Sequence, residues 1–221
     1  TYGWIEDEGP KFGNLIVRNH CSEPLWVFSV GAHTFSGYRT YDQGYGTKED
    51  DVGHRIGTGE NYTEAYRINP PDVSRFEKEK YCYPWDKAAG QGIAVKVSKT
   101  EAIAPDILQF EYALVKDPRR RDTFYRMNYD ISLLDCASVA NATDVSGTTA
   151  QHDDKVAKCP GYNNGVAVTF DADPEAKMCT PVYCDGQEKC PMIYTWDRTR
   201  ENEMSLACNG PYTGNMIVDL C

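Results

Sequence analysis

Along residues 107–115, ILQFEYALV, apolar and polar side chains alternate: Leu108, Phe110, Tyr112 and Leu114 share one face, Gln109, Glu111 and Ala113 the other. A period of two is the pattern of a strand buried on one side, and it turns Glu111 away from the core. Comparable short runs recur at 15–18, 25–30, 62–67, 92–97, 124–133, 166–170 and 216–220, separated by turn-rich sequence. No segment carries a long amphipathic helical pattern, although residues 71–81, PDVSRFEKEKY, are suited to a short helix after their prolines. The pattern predicts an all-β sandwich. With 221 residues, the chain is expected to form one domain, 1–221, with 1–12 as an N-terminal extension.

Residues 129–136, YDISLLDC, put two acids on an otherwise apolar run. Asp130 and Asp135 are separated by an odd number of positions, so in a regular strand they point to opposite faces. They reach one side only if the strand bends or ends between them. Two solvated loop acids is the plainer alternative.

Composition narrows the partners. The formal charge of −10 argues against a nucleic-acid or anionic-membrane surface, since both require a basic footprint. No apolar run approaches the length of about 18 residues that a membrane-spanning helix needs. No signal peptide is visible either, which for a secreted protein makes this the mature form.

Nine cysteines, at 21, 82, 136, 159, 179, 184, 190, 208 and 221, are many for a reduced compartment. Positions 179, 184 and 190 lack the close Cys-x-x-Cys pairs of zinc ribbons, so disulfides rather than a metal site are expected. Asn61-Tyr-Thr63 and Asn141-Ala-Thr143 are N-glycosylation acceptors. Together these features predict a secreted, extracellular glycoprotein.

Common catalytic motifs are missing: there is no P-loop, no G-x-S-x-G, and histidines 20, 33, 54 and 152 show no metal-ligand spacing. No cofactor is expected. The remaining candidates are acids near strands, namely Glu111, Asp130, Asp135 and Asp197 with Glu201, because paired carboxylates serve glycoside hydrolysis. An ordinary acidic surface also accounts for them. Tyr38, Tyr41 and Tyr45 lie in a long loop, where exposed rings could stack on sugar faces or pack beneath their own loop. The basic stretch 116–121, KDPRRR, reads as a solvated hairpin tip.

The order of the blocks is more specific than any one of them. GNLIVRNHCSEPLWVFSVGAH, GENYTEAYR, GIAVKVSKT, FEYAL, NYDISLLD and the closing MIVDLC resemble the thaumatin-like proteins, most of all their secreted fungal yeast-phase-specific, or antigenic, branch. The resemblance runs from Gly13 to Cys221. It implies a β-sandwich with a disulfide-rich lobe and an acidic cleft. It also implies the pairings Cys21–Cys221, Cys136–Cys208, Cys159–Cys190 and Cys179–Cys184, with Cys82 left single.

In plant members the cleft is lined by an arginine, a glutamate and three aspartates. FEYAL then supplies Glu111, and YDISLLD supplies Asp130 and Asp135. Asp197 is the candidate for the last aspartate and Glu201 another. No arginine matches; Lys96 and Lys99 stand where the basic block should lie. The implied function is binding of β-1,3-glucan-type polysaccharide in the acidic cleft, with weak or absent hydrolysis. One alternative is an endo-β-1,3-glucanase with Glu111 as acid and Asp130 or Asp135 as nucleophile or base. Another is a secreted antigen or effector acting on a protein partner.

Overall fold

A computed structural model describes residues 9–30, 33–34, 37–38, 52–66, 92–103, 106–116, 124–137, 149–187, 190–195 and 206–221. A 3-10 turn at Gly9–Phe12 leads into strands β1 (Asn14–Asn19), β2 (Leu25–Val30), β3 (His33–Thr34), β4 (Gly37–Tyr38), β5 (His54–Ile56), β6 (Asn61–Ala65) and β7 (Ile93–Ser98). The long pair β8 (Leu108–Lys116) and β9 (Phe124–Ser132) follows, then helix α1 (Thr149–Lys158). Strands β10 (Val166–Phe170), β11 (Val182–Cys184), β12 (Leu206–Ala207) and β13 (Met216–Leu220) complete the order.

The strands form two main sheets and one small ribbon. The five-stranded sheet runs β11-β10-β13-β1-β6, the six-stranded sheet β12-β9-β8-β7-β2-β5, and β3 pairs with β4. The architecture is an all-β sandwich, as the alternation predicts. Each of the eight predicted runs is a strand. The inward set contains Leu15, Val17, Val95, Val97, Phe110, Tyr112, Met127, Ile131, Val168 and Val218, all of them fully or almost fully buried. Phe12, just before β1, joins this core. Among the described residues, no helix is long and apolar enough to cross a membrane.

β1 and β13 pair in parallel, with Asn19 opposite Leu220. Parallel neighbours end on the same side, so the residues that follow each strand meet. Cys21 and Cys221 are bonded there, with their Cα atoms 5.0 Å apart. The other three bonds are Cys136–Cys159, Cys179–Cys208 and Cys184–Cys190, which corrects the pairings Cys136–Cys208, Cys159–Cys190 and Cys179–Cys184. The chain between Cys179 and Cys184 leads straight into β11. Five extended residues span up to about 16–18 Å, well past the roughly 7 Å Cα separation a disulfide tolerates. Cys179 instead forms a β-bridge with Cys208. Cys159 directly follows α1 and is bonded to Cys136 in the turn after β9. Cys82 lies outside the described residues.

Helix α1 escapes a hydrophobic pattern search for a clear reason. Its buried positions, 152 and 155, continue with helical spacing to the buried residue 159 just past its end, but they are His152, Lys155 and Cys159, flanked by half-buried Asp154 and Val156. The Lys155 Nζ is buried, donating to the Leu133 carbonyl at 2.7 Å and to the Cys136 carbonyl. The apolar stripe that normally announces a helix is here largely polar. The short helix expected at 71–81 lies outside the described residues, as does the basic tip beyond Lys116.

In the loop before Cys179, the Asp173 carboxylate accepts the backbone N–H groups of Lys177, Met178 and Cys179 at 3.0, 2.8 and 2.7 Å. These bonds, that of Cys179 foremost, hold its pKa below the ordinary carboxylate value, against an opposing contribution from desolvation. A depressed folded-state pKa contributes stability that is complete above the unfolded value of about 3.9 and is lost as pH falls through the folded value. The wild type should therefore exceed Asp173→Ala in thermal stability at pH 6–7, and the gap should close below about pH 4, as followed by circular dichroism melts across pH. Peptide mapping without reduction should recover the four pairs above. Replacing both Cys21 and Cys221 with Ser should cost roughly 5 kcal/mol in urea unfolding, on the chain-entropy model for a loop of about 200 residues.

Candidate functional site: the outer face of the six-stranded sheet

With Phe110, Tyr112 and Leu114 inward, β8 presents Gln109, Glu111 and Ala113 on its other side. β9 likewise turns Met127, Tyr129 and Ile131 inward and places Arg126, Asn128, Asp130 and Ser132 on the other side, where Arg126 is exposed, Asn128 and Asp130 are half-buried and Ser132 is buried. The antiparallel register places Glu111 directly opposite Asp130, Gln109 opposite Ser132 and Ala113 opposite Asn128. β7 extends the same rows, with Lys96 opposite Gln109 and Ala94 opposite Glu111. Cross-strand partners have Cβ atoms about 4.5–5.5 Å apart, so Glu111 and Asp130 form one acidic step on the sheet. Both are half-buried.

Asp135 reaches this side because the strand ends at Ser132. The turn that follows is closed by the Cys136 N–H on the Leu133 carbonyl at 3.1 Å and by the Leu134 N–H on Ser132 Oγ at 3.3 Å. The Ala137 N–H is held by Asp106 Oδ1 at 2.7 Å, with Ala137 itself at a φ of 46°. The exposed Asp135 carboxylate accepts a hydrogen bond from the Gln109 Nε2 amide at 2.9 Å. Gln109 and Glu111 are two residues apart on one strand, about 7 Å. All three acids thus belong to one stretch of the outer face, and the turn is the bend that the odd spacing requires.

Directly opposed carboxylates repel, and the same face carries the compensating groups. Lys96 lies one row from Glu111, and the Arg126 guanidinium Nε donates to Asn128 Oδ1 at 2.7 Å, one further row beyond Asp130. Sequence reasoning missed Gln109, Asn128 and Arg126, although the alternation that placed Glu111 outside places them there too. Lys99 is engaged elsewhere, in an ion pair with Glu23 at 2.9 Å and with the Ala157 carbonyl in the last turn of α1, where a cation complements the helix dipole. At the far edge Arg55 lies over Trp26, 5.9 Å from its ring centre.

Beneath the face, Tyr129 donates its hydroxyl to the Thr180 carbonyl, and burial holds that phenol well above its ordinary pKa. Chemically, the face offers carboxylate acceptors, amide groups that both donate and accept, and two cationic donors around the small side chains of Ala94 and Ala113. That is a hydroxyl-matching surface. Among the described residues, no group of three or more His, Cys, Asp or Glu is arranged to hold a metal ion.

Asp197, Glu201, Tyr41, Tyr45 and Asn141 lie outside the described residues, and of Tyr38 only the backbone, in β4, is described. Asn61 is exposed at the start of β6, an edge strand. His20, just after β1, bonds through Nε2 to Asp219 Oδ1 at 2.9 Å.

No protein-family model and no curated protein sequence matches the chain. Among solved structures, the protein elicitor MoHrip2 from Magnaporthe oryzae aligns over 95% of this chain and 98% of its own, with 15% identity and a TM-score of 0.49. The thaumatin-like xylanase inhibitor TLXI aligns over 94% and 98%, with 8% identity and a TM-score of 0.37. At these values neither protein's activity transfers to this chain.

The position of Asp135 depends on the turn that Lys155 anchors. Lys155→Met keeps the aliphatic stem but leaves the Leu133 and Cys136 carbonyls without this donor, at a cost of about 1–3 kcal/mol. Urea unfolding should show that loss, and the amide resonance of Asp135 should shift while that of Glu111, held by the strand ladder, stays in place.

Proposed function

We propose that the chain is a secreted thaumatin-like protein that binds neutral β-1,3-glucan-type polysaccharide on the outer face of its six-stranded sheet, with weak or absent hydrolysis. The observation that carries this reading is the register pairing of Glu111 with Asp130, with Asp135 joined to the same face through Gln109. A neutral chain laid over this face meets alternating acceptors and donors with no net charge of its own to balance. Four disulfides and the exposed acceptor Asn61 support an oxidising, extracellular setting.

The same geometry weighs against efficient cleavage. Glycoside hydrolysis needs two carboxyl groups that flank the scissile bond, one protonating the leaving oxygen while the other attacks or activates water from the opposite side of the ring. Glu111 and Asp130 rise side by side from one sheet, so a sugar lying across them has both acids on one side.

Titration of the full chain with laminarihexaose, a β-1,3-linked glucose hexamer, should shift the backbone amide resonances of residues 109–111 and 128–130. In a Glu111→Gln, Asp130→Asn, Asp135→Asn variant the affinity read at those amides should fall at least about tenfold, since hydrogen bonds to charged groups contribute about 1.5–3 kcal/mol each. Unchanged affinity at those amides rejects the site. Release of reducing sugar from linear β-1,3-glucan that is abolished by Glu111→Gln alone rejects the binding-only reading in favour of a glucanase.

A further inference from the structure

The opposite face of the sandwich has a concave site of its own. One row of side chains crosses the outer face of the five-stranded sheet: Tyr183 on β11 is opposite Ala167 on β10, Ala167 is opposite Asp219 on β13, and Asp219 is opposite Arg18 on β1. A cleft of about 590 Å³ opens over the β11 end of this row, within the range of small-molecule sites. We infer that this cleft is a second carbohydrate site, taking one neutral pyranose unit of a glucose-type polysaccharide, and that it acts independently of the acidic face.

Tyr183 is the first argument. The residue is 64% exposed and its cross-strand neighbour is Ala167, whose methyl group is a step down from the phenol. A flat aromatic face next to a step offers an amphipathic ring an apolar surface while its edge stays wet. The cleft's shape is held by the backbone. Gly165 adopts a φ of +97°, and a Cβ there would lie 1.8 Å from the Cys184 carbonyl oxygen, so only glycine permits this approach. The Cys184–Cys190 bond and Pro191 stiffen the other wall.

Asp219 is the second. It lies about 5 Å beyond Ala167 along the row, the spacing of adjacent strands. Its carboxylate is oriented by His20 Nε2 at 2.9 Å and by Arg18 Nη1 at 3.8 Å. A carboxylate carries about four lone-pair sites, so these contacts leave it able to accept hydroxyl donors from a ring seated on Tyr183. Asn164, which also lines the cleft, supplies an amide that both donates and accepts. The combination of a ring face, a held carboxylate and an amide suits a polyhydroxylated neutral ring. A phosphorylated or acidic ligand would meet Asp219 and Asp185 instead.

The test uses the full chain carrying the Glu111→Gln, Asp130→Asn, Asp135→Asn changes, titrated with laminarihexaose and with cellohexaose while amide resonances are followed. At least one of the two should shift the amides of Ala167, Tyr183 and Asp219 in a saturable way. Adding Tyr183→Ala should weaken that binding by about tenfold, as loss of an aromatic anchor does, and Tyr183→Phe should preserve it. No shift at these amides with either hexasaccharide, or affinity unchanged by Tyr183→Ala, overturns the inference. Because the acidic face is read at residues 109–111 and this cleft at 167 and 183, either site can fail without the other.

Discussion

Everything in the sandwich depends on its first long strand lying beside its last. β1 and β13 are neighbours in the middle of the five-stranded sheet, and their parallel pairing is formed only after some 200 residues of intervening chain have been brought into place. Closing so long a loop costs entropy, although the cost grows only with the logarithm of length. The Cys21–Cys221 bond removes much of that freedom from the unfolded chain. With β1 and β13 fixed, β6 and β10 have edges to pair against. The inward residues Leu15, Val17, Met216 and Val218 then present one apolar plane to the other sheet.

What registers the second sheet over the first is not only apolar packing. Glu64, on β6, points into the core, where its carboxylate accepts the hydroxyls of Tyr62 at 2.8 Å and Tyr112 at 2.7 Å. A buried carboxylate is tolerated only when its oxygens are hydrogen-bonded, and Tyr112 belongs to β8 of the opposite sheet. The link therefore opposes sliding of β8 across β6, because any slip exposes charge to an apolar interior. Tyr112 is adjacent in sequence to Glu111, so the bond that locks the sheets also fixes the strand that carries the acidic step.

Alternation was enough to read the strands, since a period of two survives wherever one face is buried and the other wet. It also placed Glu111 outside correctly, and the odd spacing of Asp130 and Asp135 called for the turn found after Ser132. The short strands β5, β11 and β12 have two or three residues each, too few for any period to register. Helix α1 was invisible because it buries His152 and Lys155 where a pattern search looks for leucine. Glu64 shows the same departure from pattern: a charged residue in a strand ordinarily faces solvent, and the two tyrosine hydroxyls make its inward position tolerable. Disulfide partners were the least legible, because pairing depends on which loops meet in space. A scheme carried over by resemblance identified the bond set by the parallel strands and missed the three set by local loops.

The candidate face is therefore held by two kinds of support. Glu111 and Asp130 are positioned by the β8–β9 ladder, a continuous register from Gln109 with Ser132 to Val115 with Arg126, backed by core residues on the reverse side. Asp135 lies beyond the ladder, and its turn is held by the Lys155 ammonium, the Asp106 carboxylate and the Cys136–Cys159 bond. Strand register responds to changes in core packing and hardly at all to redox state, whereas a turn tied by a disulfide responds directly to reduction. A ligand that touches only the acidic step depends on the sandwich alone. One that also bonds Asp135 depends on the Cys136–Cys159 bond being intact, and such bonds persist under oxidising conditions.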